Sequence, residues 1–284
     1  PTPAPTPVNT GNEVKVDANK KSATVITVPD AAPVSSNGTT TVTTTVDSGM
    51  NTGSVNTINI VLPNTEIKTA VKTENVVMQV RLPAAIAENS DSSQKIIINA
   101  AADVLQTAAQ SGKKVSIHVM NADTGKVSYT CTIDGSTLNK AAIAQDVNIA
   151  MSVKDLASDF NINKAAQGKS GFVLSFSHSG SLPGPTTFTI PAGNYPAGTS
   201  LYLYYYNKLG LLEPVNQTCT VDTNGDVAVT ISHCSQYVLL NQKTANTLTL
   251  DTVNPYTFGV GDQYIFLVKS TSKTVPTATM ADHS

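Results

Sequence analysis

Alternation of apolar and polar residues, which marks a strand with one buried face, begins at "SATVITVP" (22–29). It returns in "GTTTVTTTVDS", "VNTINIVLP" and "ENVVMQVRLP", the last closed by Pro83. The pattern then changes. In "DSSQKIIINAAADVLQTAAQSGKK" Asp91 or Ser92 can cap a first turn, and Ile97, Ala101, Val104, Leu105 and Ala108 recur at helical spacing before Gly112. This spacing predicts one long helix over 92–110, with its apolar face on a sheet. A hairpin follows in "KKVSIHVMNADTGKVSYTCTIDG": Val115, Ile117 and Val119 face one way, with Val127, Tyr129, Cys131 and Ile133 returning beside them. A short helical stretch near Leu138 to Ala144 and the strand "DVNIAMSV" lead into a dense second run of strands. These are "GFVLSFSHSG", "TTFTIPAG", "TSLYLYYYNKLG", "QTCTVD", "DVAVTISH" and "QYVLL", separated by turn residues as in a sandwich.

The stretch "VDTNGDVAVTISHCSQYVLL" contains an Asp-x-Asn-x-Asp run, so a calcium loop has to be weighed. Asp222, Asn224 and Asp226 suit the first, third and fifth positions of an EF-hand loop. Val227 and His233 then stand where the turn glycine and the bidentate glutamate belong, and the flanks are strand-like. A hairpin fits better. Cys219, Val221, Val227, Val229 and Ile231 are all odd-numbered, so a shared inward face sets Thr223-Asn224-Gly225 as the loop. Gly225 then takes the left-handed position, and Cys219 lies opposite Val229.

Composition adds a class. Charged residues make up 13%, with net charge −2, so there is no basic footprint for nucleic acid or an anionic membrane surface. No apolar run is long enough for a membrane-spanning helix, and membrane insertion is not expected. Abundant Thr and Val favour strands. The opening "PTPAPTPVNTGN" reads as a Pro/Thr linker over 1–21, stiffened toward polyproline II. The three cysteines are Cys131, Cys219 and Cys234, an odd number that leaves a free thiol. Cys234 has the opposite parity to Cys219, so a bridge between them would need a break in the strand. Cys131 and Cys219 read as small buried hydrophobes.

Candidate chemistry is sparse. No HExxH, G-x-S-x-G or phosphate-binding glycine loop occurs. Of the histidines His118, His178, His233 and His283, the first is expected to be exposed. His178 could approach His233, but the pair lacks a placed carboxylate or thiolate, so no metal site and no cofactor are expected. Tyr202, Tyr204 and Tyr206 alternate on one strand face, a row of rings such as sugar-binding modules use for stacking. The same row could instead pack a core or line a contact with another domain.

Two resemblances complete the reading. The Tyr-rich "LYLYYYN" strand, the "VDTNGDV" turn and the closing "SHCSQYVLL" are similar to β-rich modules of modular secreted and surface proteins from Gram-positive anaerobes. The likeness is strongest over about 171–240 and implies an exported module without specifying an activity. His233-Cys234-Ser235 before an apolar strand also resembles the cleavage motif of adhesion-receptor-type autoproteolytic domains, although the paired cysteines and tryptophans of that motif are missing here. The resemblance implies His233 as base and Ser235 Oγ as nucleophile on the Cys234 carbonyl, at a strained peptide.

The expected fold is mainly β: β-sandwich regions with one long helix. The linker would precede a β-rich region over 22–165, a β-sandwich over 166–242, and a β extension or the start of a further module over 243–284. The expected function is a non-catalytic structural or adhesion module at the cell surface or wall, adjoining other modules of the same polypeptide. A carbohydrate-binding module facing a polysaccharide or a host or wall glycan, and a self-cleaving module, are the alternatives.

Overall fold

The computed structural model describes residues 11–47, 55–88, 94–244, 248–250 and 268–270; of the linker expected over 1–21, residues 1–10 lie outside the described residues, as do most of 245–284, while Glu13–Asp17 is strand rather than linker. The fold is mainly β. The chain forms two compact units that are interleaved along the sequence. Unit 1 takes the described residues up to Val153, together with Leu174–Thr199 and Cys219–Ser235. Unit 2 takes Lys154–Val173, Ser200–Thr218 and the described residues from Gln236 onward.

Unit 1 is built by a repeat. The chain lays down β1 (Glu13–Asp17), β2 (Ser22–Ile26), β3 (Val34–Ser36), β4 (Thr39–Thr45) and β5 (Thr57–Val61). Helix α1 (Asn64–Ala70), β6 (Asn75–Leu82), the short α2 (Ala84–Ala87), β7 (Lys95–Ala100), α3 (Ala102–Ser111) and β8 (Lys114–Asn121) follow. Strands β2, β5 and β7 join one sheet in parallel, and β4, β6 and β8 join another in parallel, so the chain alternates between sheets. Ser22 lies beside Thr57 and Thr57 beside Lys95 in one ladder; Thr40, Val76 and Val115 align in the other. Each circuit of the chain thus adds one strand to each sheet, as in solenoids. The helices repeat too. Lys68 Nζ of α1 reaches Asp103 of α3 at 2.8 Å, and the Ser111 hydroxyl of α3 donates to the Val71 carbonyl at 2.7 Å.

The inward positions of this stack are β-branched or unbranched aliphatics: Val25, Ile60 and Ile98 from one sheet, Val42, Met78 and Ile117 from the other, all buried. The first circuit places threonines inside as well. Their hydroxyls are paired, Thr27 to the Val61 carbonyl at 2.8 Å and Thr44 to the Val28 carbonyl at 2.7 Å, so burial strands neither hydroxyl.

The expected long helix over 92–110 is corrected. Lys95–Ala100 is strand, with Ile96, Ile98 and Ala100 inward, and the helix starts only at Ala102. Three successive isoleucines favour the pleated state, since χ1 of a β-branched side chain is confined in a helix. Asp91 and Ser92 lie outside the described residues; the Asp146 carboxylate instead accepts from the Ala102 amide at 2.9 Å. Gly112 does end the helix, with φ +68° and its amide on the Ala108 carbonyl.

Strand β9 (Val127–Asp134) pairs with β8 as the expected hairpin, Ile117 beside Cys131 and Val119 beside Tyr129, with a bulge between Val119 and Met120. The stretch expected to be helical near 138–144 holds only a 3-10 turn, Lys140–Ala142, capped by Asn139. Strands β10 (Val147–Asn148) and β11 (Met151–Asp155), α4 (Phe160–Ala165), β12 (Gly171–Pro191), β13 (Ser200–Tyr206), β14 (Leu212–Thr220) and β15 (Asp226–Leu240) complete the principal elements. Strands β11, β12, β14 and β15 each have residues in both units. Beyond them, β16 (Leu248–Leu250) pairs with β17 (Val268–Ser270) antiparallel.

The turn at Asp222–Asp226 forms as expected: the Asp222 amide donates to the Asp226 carbonyl at 2.8 Å, and Gly225 has φ +83°. The strand pairing expected from it does not form. Strand β14 pairs with β13, and β13 pairs with the end of β15, Tyr204 beside Val238. The Val221 amide goes to the Thr199 carbonyl at 2.9 Å rather than across the turn. Parity was nevertheless right for burial: Cys219, Val221, Val227, Val229 and Ile231 are all inward.

Candidate functional site

Unit 2 is small, and tyrosines fill much of it. Asp159 caps α4, its carboxylate accepting from the amides of Asn161 (3.1 Å) and Ile162 (3.0 Å). That sets Ile162 into a core with Leu156, Ala166, Val173, Tyr204, Leu212, Val238 and Leu240. Gly171 is obligatory here, because a Cβ at that position would lie 1.8 Å from the Leu239 carbonyl oxygen. On β13 the side chains of Leu201, Leu203 and Tyr204 are all buried, so both strand faces are covered at its middle.

The expected row of exposed rings is therefore corrected. Tyr204 is only 4% exposed, and Thr244 donates its amide to the phenol oxygen at 2.9 Å. Tyr202 and Tyr206 are half-buried and rest against the same core, Tyr206 with its phenol raised above the usual range by burial and by the Asp159 carboxylate. In place of a flat platform there is a cavity of about 430 Å³. Tyr202, Leu203 and Tyr204 of β13 and Leu212, Pro214, Asn216, Gln217 and Thr218 of β14, with Lys243 and Thr244, line it. Lys243 Nζ stands 5.3 Å from the centre of the Tyr202 ring. Asn216 sits at φ +58°, an unusual left-handed conformation for a non-glycine residue on a cavity wall.

Lys243 and Thr244 fall in the stretch expected to be a separate extension, and nothing near them in the sequence marks them. Only the antiparallel register that sets Tyr202 beside Leu240 brings the residues just past the strand end to the rings. Tyr205, on the other face, meets Tyr237 at 5.9 Å between ring centres.

Unit 1 holds a second cavity, of about 480 Å³, lined in part by Glu88, Asn121, Lys126 and Tyr129. Two of its polar side chains are bonded to each other, Asn121 Nδ2 donating to Glu88 at 3.1 Å, and Asn121 Oδ1 accepts from the amides of Asp123 and Thr124.

His233, Cys234 and Ser235 lie inside β15, which runs on from Asp226 to Leu240. Cys234 is buried, His233 exposed and Ser235 half-buried, and none of the three has a positive φ. The burial alternation slips by one residue at Ser232-His233, both exposed, which turns Cys234 inward despite its even number. Self-cleavage calls for a strained peptide at Cys234–Ser235, and an extended strand does not provide one.

All three cysteines are free and buried. Burial holds the Cys219 thiol up at about 11 and that of Cys234 at about 12, far from a reactive thiolate. His118 is half-buried rather than exposed, and desolvation lowers its pKa. His178 is half-buried, and His283 lies outside the described residues. Among the described residues no three His, Cys, Asp or Glu side chains gather as metal ligands would. Asp222 is held by its own turn: the Asp226 amide above all, with that of Asn224, lowers its pKa. No described helix is long and apolar enough to cross a membrane.

The sequence matches no protein-family model and no curated protein.

Proposed function

We propose that this chain is a non-catalytic structural and adhesion module of an extracellular bacterial surface or wall protein, joined to neighbouring modules of the same polypeptide. The observation that carries the reading is the stacked repeat of unit 1. Its parallel ladders and continuous aliphatic interior suit a part that must hold its shape under load. The buried thiols and the extended backbone at Cys234–Ser235 support the same reading, because each group with chemical potential is packed as structure. Stretching the whole chain by its two ends in a force spectrometer tests it. Discrete, cooperative rupture events are expected, and a smooth low-force extension would overturn the proposal. Intact mass after prolonged incubation should remain a single species of 29.6 kDa. A fragment beginning at Ser235 would transfer the assignment to self-cleavage.

A second reading is favoured by one observation, the Tyr202–Lys243 cavity of unit 2. We propose that an adhesion function, where the chain has one, resides there as glycan binding. Its size is in the range of small-ligand sites, and it offers an aromatic face beside amides and hydroxyls. Retention of the chain on insoluble wall or host polysaccharide, abolished by Tyr202→Ala with no change in fold, is the expected outcome. Equal retention of the variant would count against it.

A further inference from the structure

We propose that the unit 2 cavity takes an acidic sugar, a uronic or sialic acid residue, with its carboxylate on the Lys243 ammonium and its ring against Tyr202. The inference rests on the glycan reading above and deepens it. Among the described residues that line the cavity, only Lys243 carries a formal charge and none is Asp or Glu. Among the described residues Lys243 makes no ion pair. Its ammonium stands over the Tyr202 ring, 5.3 Å from the ring centre. A cation with a ring below it and no anion beside it among the described residues is well placed to receive a carboxylate, because a charge-assisted hydrogen bond is about twice as strong as a neutral one. Around it stand the amides of Asn216 and Gln217 and the hydroxyls of Thr218 and Thr244. Such groups match the hydroxyls of a pyranose, and Tyr202 supplies the apolar face on which the ring's C–H side can rest.

A peptide carboxylate is the competing source, and β14 argues against it. A peptide would dock by extending that strand, but Pro214 removes an amide there, and Asn216 at φ +58° departs from strand geometry.

The test is titration calorimetry on the whole chain with two matched pairs: trigalacturonate against its neutral galactose trimer, and sialyllactose against lactose. The expected result is binding of at least one acidic ligand about tenfold or more tighter than its neutral partner, weakened by added salt. Lys243→Met should remove that preference, and Lys243→Arg should retain most of it, with the unfolding midpoint of both variants unchanged. Equal binding of acidic and neutral ligands, insensitive to Lys243→Met, overturns the inference and leaves the glycan reading standing. Failure of all four ligands to bind at millimolar concentration overturns both. Binding of an N-acetylated tripeptide acid in the absence of any sugar binding would assign the site to a peptide terminus and overturn both.

Discussion

Unit 1 and unit 2 are both made of strands, but they solve the burial problem with different side chains. In unit 1, Val, Ile and Met recur at matched positions of three successive circuits, so each inward side chain meets a similar one above and below. Short branched side chains stacked in register leave little space between them. In unit 2 the core is irregular: tyrosines of one strand meet a six-residue helix and the end of another strand. Long rigid rings with polar tips do not interdigitate in this way, and the mismatch is the cavity beside Tyr202. Regular repetition yields an aliphatic stack; irregular aromatic packing leaves a cavity lined by rings, whereas the unit 1 cavity of about 480 Å³ has its Asn121 and Glu88 bonded to each other.

Three substitutions or conditions would break or sharpen that contrast. The largest effect is expected from Ile60→Ala in the unit 1 stack, where the side chain is fully buried. It should cost about 2–5 kcal/mol, read as a lowered denaturant midpoint; a cost below about 1 kcal/mol would mean that the stack is loosely packed. Tyr204→Phe in unit 2 should cost about 1 kcal/mol, because the Thr244 amide loses its acceptor. No loss at all would show that water replaces the phenol and that the cavity reaches deeper than the rings.

The smallest effect is in pH. The folded Cys219 and Cys234 thiols titrate at about 11 and about 12, above the ordinary value of 9.0. A thiol raised in the folded state ionises first in the unfolded chain, so its contribution is intact below about pH 9 and is lost as pH rises toward 11–12. Urea midpoints should therefore fall more steeply with pH above 9.0 for the native protein than for Cys219→Ala. Parallel slopes would place that thiol in contact with water.

Much of the strand content could be read from the sequence, because period-two alternation survives wherever one face is buried: β2, β4, β5, β6 and the β8–β9 hairpin all lie where the pattern puts them. The repeat was hidden. "TINIVLPNTEIKTAVKTENVVMQVRL" and "KIIINAAADVLQTAAQSGKKVSIHVM" share an outline of strand, helix and strand, but the first circuit has no helix. In addition, α1 has a single buried residue, Ile67, too little to display a stripe. The triple isoleucine at 96–98 misled because Ile97 also fits helical spacing onto Ala101 and Val104. The Tyr row was visible, but its burial depends on α4 and on residues past Leu240, partners that no local pattern specifies.

The interleaving has a consequence for how such a protein can change by recombination. Because Leu174–Thr199 and Cys219–Ser235 belong to one unit while the segments between and after them belong to the other, no single cut in the gene yields two self-sufficient pieces. Unit 2 cannot be exchanged as a cassette, so a change in the shape or charge of its cavity must arise by point substitution around it. Lengthening is easier, since duplication of one strand–helix–strand circuit adds a rung to both ladders at once.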